Sequence, residues 1–334
     1  MRKILSTCAA LTVSILALAG CSPSASNSDS AETDTATPTA SIAEATFPVT
    51  VAHESGETTL EAQPQRIVVL DMAVLDTLNA IGAGKQVVGT VTKSVPEWLK
   101  GGDVDYTTLE NAGSLKEPDM EAIAKMNPDL IIVAGRSAKL YEEFAGHYPT
   151  INASTPWDRD HYSHRVIDTV KMLGQATGHI SEAEAAAKTI EDTINKYAGM
   201  AKDKGTAMVL MSNAGEISMH GPKSRWAPIY DVFGFKPVDT GEKSDEGHKG
   251  QKISFETVAD INPDYIFVVD RDAAVGKVEA GVTAKEVLDN DLVNSTTAAK
   301  NGHIVYLDPQ RWYIVMTGAT NYVSELDEVA AALK

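Results

Sequence analysis

The sequence predicts an α/β protein of two similar lobes, each with a largely parallel sheet, joined by a rigid helical connector with a ligand cleft between the lobes. Three observations carry this. Apolar strand-like runs alternate with helix-like segments from about residue 67 onward, the mark of parallel α/β architecture. One helix–turn–strand segment, Met120–Val133, recurs as Phe255–Val268 at a constant offset, 255 − 120 = 135. Between the copies lie roughly 40 residues of helical periodicity.

The elements follow in order. Arg2 and Lys3 precede an apolar run, Ile4 to Ala19, broken by Ser6, Thr7, Thr12 and Ser14. It is too short and too weakly apolar for a spanning helix and reads as a secretory signal over 1–20. Leu18-Ala19-Gly20-Cys21 resembles a bacterial lipobox, which makes Cys21 the lipidated N-terminus. The Ser/Thr/Pro/Ala-rich stretch of 21–45 has little to bury and is expected to be a disordered tether. Acyl chains on Cys21 would then hold the protein at the outer face of the cell membrane.

The first lobe is expected over 46–158. Alternation around Val49-Thr50-Val51, a Ser55-Gly56 turn and Thr58-Thr59-Leu60 predict a hairpin. Ile67–Leu70 is a buried-type strand, a helix runs from about Met72 to Ile81, and Val87-Val88-Gly89 is a further strand. In each repeat copy an Asn-Pro-Asp turn separates helix from strand. Proline ends the helix, and the asparagine before it is expected to be extended. A looser echo relates Ile67–Leu70 and its helix to Val209–Met211 and a helix. The connector is expected over 159–180, on Val166, Val170 and Leu173. The second lobe is expected over 181–334, opening on a helix capped by Ser181.

Composition limits the function. The 334 residues carry 29 Lys+Arg against 46 Asp+Glu, a formal charge of −17, which argues against a nucleic-acid partner. Cys8 leaves with the signal and Cys21 is blocked, so no thiol remains for catalysis or for a cysteine metal cluster. Signatures of nucleophile elbows, zinc proteases, phosphate loops and dinucleotide folds are absent, so no enzyme is expected.

Ligands of parallel sheets gather beyond the strands' carboxyl ends. Arg136 and Arg271 lie three residues past equivalent strands, 271 − 136 = 135, so pseudo-symmetry aims both into one cleft. Arg225, in Gly221-Pro222-Lys223-Ser224-Arg225-Trp226 before Pro228, sits where a helix N-terminus would favour an anion. Trp226 either stacks on a flat ligand or packs within its own lobe. His248 belongs to a polar, Gly-bearing loop. Tyr313 follows the strand Ile304–Leu307, either in the core or with its phenol in the cleft.

At this point the chain resembles the substrate-binding lipoproteins of ABC transporters for iron siderophores and cobalamin, and within them the ferric-catecholate branch. The resemblance spans about 46–334. It is carried by Val133-Ala134-Gly135-Arg136, by the Gly221–Trp226 segment, by Asn262-Pro263-Asp264 through Arg271, and by Tyr306 through Tyr313. It implies a membrane-anchored receptor that captures a ferric catecholate siderophore and passes it to an ABC permease and its ATPase. No cofactor is implied; ferric ion is cargo. Arg136, Arg225 and Arg271 would meet the anionic catecholate oxygens, with Trp226, Arg311 and Trp312 beside them. His248 and Tyr313 would complete the iron's coordination if the siderophore offers four donors. The family's usual Thr-His-Gly is here Gly247-His248-Lys249-Gly250, and Arg311 stands where an aromatic is common. Glu121 and Glu256, equivalent in the repeat, would dock the permease; acids in a helix's first turn also complement its dipole. Haem, cobalamin, hydroxamate or citrate siderophores are the alternative ligands, and a cell-surface hydrolase is the alternative class.

Physical chemistry agrees with the catecholate reading. Six phenolate oxygens outweigh one ferric ion by roughly three negative charges. A protein this acidic needs a locally basic cleft to hold such an anion, and arginine both stacks on rings and hydrogen-bonds oxygens.

Overall fold

A computed structural model of the chain describes residues 46–157, 161–239, 250–276 and 283–334. Cys21, His248, the signal and the tether lie outside the described residues.

The hairpin pairs β1 (Val49–His53) with β2 (Gly56–Leu60). The first sheet contains β3 (Ile67–Val69), β4 (Val87–Thr90), β5 (Glu110–Asn111), β6 (Leu130–Val133) and β7 (Thr150–Asn152). Its order is β5-β4-β3-β6-β7, parallel throughout. Every residue of β3 and β6 is buried, as expected of strands covered on both faces.

The second sheet holds β8 (Thr206–Asn213), β9 (Glu216–His220), β10 (Lys236–Pro237), β11 (Gln251–Ile253), β12 (Tyr265–Asp270) and β13 (Ile304–Leu307). The order is β11-β9-β8-β12-β13, with β10 alongside the start of β8. β8, β12 and β13 are parallel, whereas β9 and β11 run antiparallel. The looser echo therefore stops at the strand. β3 leads into the helix Met72–Ala80, but β8 turns back through Ala214-Gly215 into β9, with Ala214 at φ 52° and Gly215 at φ 79°.

The repeat has a structural basis. The helices Met120–Lys125 and Phe255–Ile261 are capped by Asp119 and Ser254, whose side chains accept from the amides of Ala122 and Thr257. The aspartate of each Asn-Pro-Asp turn then ties its strand to the neighbouring one. Asp129 accepts the amides of Gln65 (2.7 Å) and Arg66 (2.9 Å) just before β3, and Asp264 accepts the amide of Thr206 (2.8 Å) at the start of β8. The turn's conformation differs from expectation. Asn127 (φ 45°) and Asn262 (φ 50°) are left-handed, a region asparagine tolerates, rather than extended.

The connector helix Tyr162–Thr177 buries Val166, Val170 and Leu173 and ends at left-handed Gly178. The next helix, Ile180–Tyr197, begins after His179 with no side-chain cap, so Ser181 lies inside the helix instead of capping it. A methyl group at Gly174 would overlap Ala183 Cβ, which is how closely the two helices approach.

The C-terminal helix Ala319–Ala332 adds a second link between lobes. It packs on both the Ile180–Tyr197 and Met72–Ala80 helices. Asp76 of the first lobe accepts the amides of Thr320 (2.8 Å) and Asn321 (3.0 Å), supplying the cap that Gly318 cannot. One apolar cluster runs through both lobes, with a smaller one, around Met208, Leu210 and Ile266, on the second sheet's other face.

Candidate functional site

Strand ends and one irregular turn build the site. β6 ends at Val133, and Gly135 (φ 49°) turns the chain so that Arg136 leaves the sheet edge. β12 ends at Asp270, whose carboxylate caps the short helix Arg271–Ala274 and accepts the amides of Ala273 (3.0 Å) and Ala284 (2.8 Å). Arg271 thus starts from a fixed backbone. After β13, Gln310–Val315 forms a π-helical turn, closed by Met316 N donating to Arg311 O at 2.7 Å. Such turns are rare and tend to sit at functional sites.

A cleft of about 760 Å³ opens between these segments. Arg136, Lys116 and Lys139 line it from the first lobe; Asn213, Glu216, Ser218, Arg225, Lys252 and Arg271 from the second; Tyr313 from the C-terminal segment. Six cationic side chains thus face one carboxylate among the described residues, and that carboxylate, Glu216, pairs with Lys252. The basic cleft is set in a chain whose formal charge is −17.

Tyr313 is its centre. The guanidinium carbons of Arg136, Arg225 and Arg271 lie 5.2, 5.3 and 5.9 Å from its ring centroid. Arg136 donates to the Tyr313 carbonyl (2.9 Å), bridging the lobes. Arg271 donates through Nε to the phenol oxygen (3.1 Å) and through Nη1 to Asn213 Oδ1 (2.7 Å), with Asp272 Oδ1 3.6 Å from Nη1. Burial pushes the phenol pKa up, but the Arg271 hydrogen bond and the three neighbouring guanidinium charges outweigh it and hold it below its ordinary value. Arg225 is 7% exposed, with Trp157 at 5.3 Å and Trp226 at 5.6 Å. Burial and then Arg136 pull its pKa down to about 10, which leaves it charged at neutral pH.

The structure brings Arg136, Arg225, Arg271 and Tyr313 together. It puts the other expected ligand contacts elsewhere. Trp226 is fully buried and donates to the Trp312 carbonyl (2.9 Å), and Trp312 is buried and donates to Glu328 (2.7 Å). Arg311 turns away from the cleft to stack on Trp98 at 4.2 Å and donate to Asn321 (3.3 Å). The reason is the π turn, which points Tyr313 into the cleft and its neighbours into the core and the first lobe. Glu121 and Glu256 are exposed in the first turns of the two repeat helices, and neither lines the cleft. Glu121 pairs with Lys125 at 2.8 Å. Lys116, Lys139, Lys252 and Trp157 were not singled out by sequence reasoning. Only Lys139 carried a signal, being three residues past Arg136 on the same strand-end loop.

A two-lobed α/β body with a basic cleft between the lobes is the architecture of a periplasmic binding protein. The periplasmic binding protein family model matches residues 67–311, and the chain belongs to that family. Its relatives include the petrobactin-binding protein YclQ of Bacillus subtilis, 34% identical over 296 residues, 86% of this chain and 88% of YclQ. The crystal structure of YclQ superposes with a TM-score of 0.78, covering 86% of this chain and 98% of the other. The ferric-anguibactin-binding protein FatB of Vibrio anguillarum is 30% identical over 288 residues, 84% of this chain and 86% of FatB. The catecholate-siderophore-binding protein VctP of Vibrio cholerae is 34% identical in its solved structure, with a TM-score of 0.73 and coverage of 84% and 99%.

Proposed function

We propose that this protein is the lipid-anchored binding component of an ABC importer and that it captures a ferric siderophore of the catecholate type. The observation that carries the reading is the convergence of three guanidinium groups on one phenol ring, at 5.2 to 5.9 Å, inside a cleft lined by one carboxylate among the described residues. A ferric catecholate presents flat aromatic rings and phenolate oxygens with a surplus of about three negative charges. Arginine answers both features; the description of VctP as a catecholate-siderophore-binding protein supports the same ligand class, and that of FatB as ferric-anguibactin-binding supports a ferric ligand.

Each residue has a role in this reading. Arg136, Arg225 and Arg271 hydrogen-bond the catecholate oxygens, and Lys116, Lys139 and Lys252 draw the anion to the rim. Tyr313 offers its phenolate to iron when the siderophore leaves coordination positions open, with His248 as the second protein donor. Binding alone is required; no bond of the ligand is made or broken. Residues 1–20 direct export, Cys21 carries the lipid, and 21–45 form the leash. Glu121 and Glu256 dock the two lobes on the permease. Two links between the lobes, the connector and the C-terminal helix, keep closure on binding modest.

Tryptophan fluorescence tests the reading, because Trp157 and Trp226 lie 5.3 and 5.6 Å from the Arg225 guanidinium. Purified protein is titrated with a ferric tris-catecholate, a ferric bis-catecholate, a ferric hydroxamate, ferric citrate, cobalamin and haem. Saturable submicromolar quenching by the catecholates alone is the expected result. Tight binding of another member without catecholate binding would keep the transport role and overturn the assignment of the arginines.

A further inference from the structure

The turn that carries Tyr313 is strained and is held from behind. Met316, which closes it, has φ 57° and ψ −97°, a sparsely populated conformation for a non-glycine residue that persists only where surroundings impose it. The imposing group is Asn321, fully buried on the C-terminal helix. The two Nδ2 hydrogens are shared among Met316 O (2.8 Å), Glu325 Oε1 (3.1 Å) and Arg311 O (3.3 Å), so the amide holds the π turn at Arg311 and at Met316. Its Oδ1 accepts from the Arg311 guanidinium (3.3 Å).

The same residue is tied to the first lobe. Its backbone amide donates to Asp76, whose other oxygen accepts Trp98 Nε1 (2.8 Å), and the Trp98 ring carries Arg311. Asn321, Asp76, Trp98 and Arg311 therefore close a circuit of contacts across the two lobes. On the cleft side of the turn lie Tyr313 and the Met316 sulfur, the latter 4.0 Å from Arg225. None of the four circuit residues lines the cleft.

We propose that Asn321 is a positioning residue for the ligand cleft, fixing the strained π turn so that Tyr313 meets Arg136, Arg225 and Arg271, with Asp76, Trp98 and Arg311 anchoring that turn to the first lobe. The binding half of this inference rests on the ferric-siderophore reading; the positioning half does not.

The test uses Asn321→Ala, Tyr313→Phe and the double variant of the full chain, with the ferric complex of 2,3-dihydroxybenzoate as probe. Asn321→Ala is expected to weaken binding about 10-fold in the wild-type background and less than about 3-fold in the Tyr313→Phe background, the non-additivity of residues acting through one element. In ligand-free protein, the amides of 312–316 should exchange with deuterium about 10-fold faster in Asn321→Ala, with the sheets unchanged. A packing role alone would give additive binding losses or leave exchange at 312–316 as in wild type, and either result overturns the proposal. If wild type does not bind the probe but exchange still accelerates, the ligand reading fails and the positioning stands. If Asn321→Ala does not fold, Trp98→Phe, which keeps the ring under Arg311 but removes the donor to Asp76, is judged by the same two criteria.

Discussion

Replacing Arg136 by alanine isolates the charge that links the lobes. Its guanidinium carbon lies 5.2 Å from the Tyr313 ring, so a ligand seated on that ring brings its anionic oxygens to within about 6 Å of the charge. One positive charge against about three negative charges at that distance is worth roughly 2–4 kcal/mol for effective dielectric constants of about 80 to 40. Arg136 is partly exposed and screened by salt, which favours the low end. Arg136→Ala should therefore weaken a ferric tris-catecholate by about 2–3 kcal/mol, or roughly 30–150-fold. Arg136→Lys, which keeps the charge but loses the fork, should cost about 3–10-fold. Thermal stability should hardly change, because the lost bond to the Tyr313 carbonyl is offset by relief of repulsion on Arg225. Calorimetric titration of the three proteins at fixed ionic strength is the assay. Binding by Arg136→Ala within threefold of wild type would refute the electrostatic reasoning.

Two further outcomes follow from the same geometry. Tyr313→Phe removes the phenol that accepts from Arg271 and should weaken a tetradentate ferric siderophore at least about 10-fold more than a hexadentate one. Equal effects in paired titrations would exclude iron ligation by the phenol. Burial raises the pKa of Glu325 well above its ordinary value, despite the opposing hydrogen bond from Asn321. A carboxyl with a raised folded pKa favours the fold fully below its unfolded pKa, near 4.5, and that contribution is lost as pH rises through the folded value. Glu325→Gln should accordingly raise the melting temperature by about 2–4 °C at pH 8, and the gain should vanish near pH 4. A gain of the same size at both pH values would contradict it.

Much of the fold was legible because local chemistry repeats in the sequence. The 135-residue offset marked helix, Asn-Pro-Asp turn and strand together, and the continuous apolar run from Ile67 marked β3 as a buried strand. What the Asp of each turn does was hidden, since its partners, Gln65 and Thr206, are about 60 residues away. The antiparallel β9 was missed because its start depends on a tight turn at Ala214-Gly215 and not on hydrophobic periodicity. In the site, Arg136 and Arg271 could be placed by strand-end equivalence, whereas Tyr313 was open between core and cleft until the π turn fixed its direction. That turn also explains Arg311 and Trp312. Consecutive residues of an irregular turn point in directions that no simple period encodes, so one neighbour faces the cleft, one the core and one the Trp98 ring.

The most direct measurement is the iron position in crystals of the protein grown with a ferric tris-catecholate, located by anomalous scattering at the iron edge. The expected result is one iron peak in the cleft beside Tyr313, with catecholate oxygens within hydrogen-bond distance of Arg136, Arg225 and Arg271. Iron bound outside this cleft, or in it without contact from the three arginines, would contradict the reading.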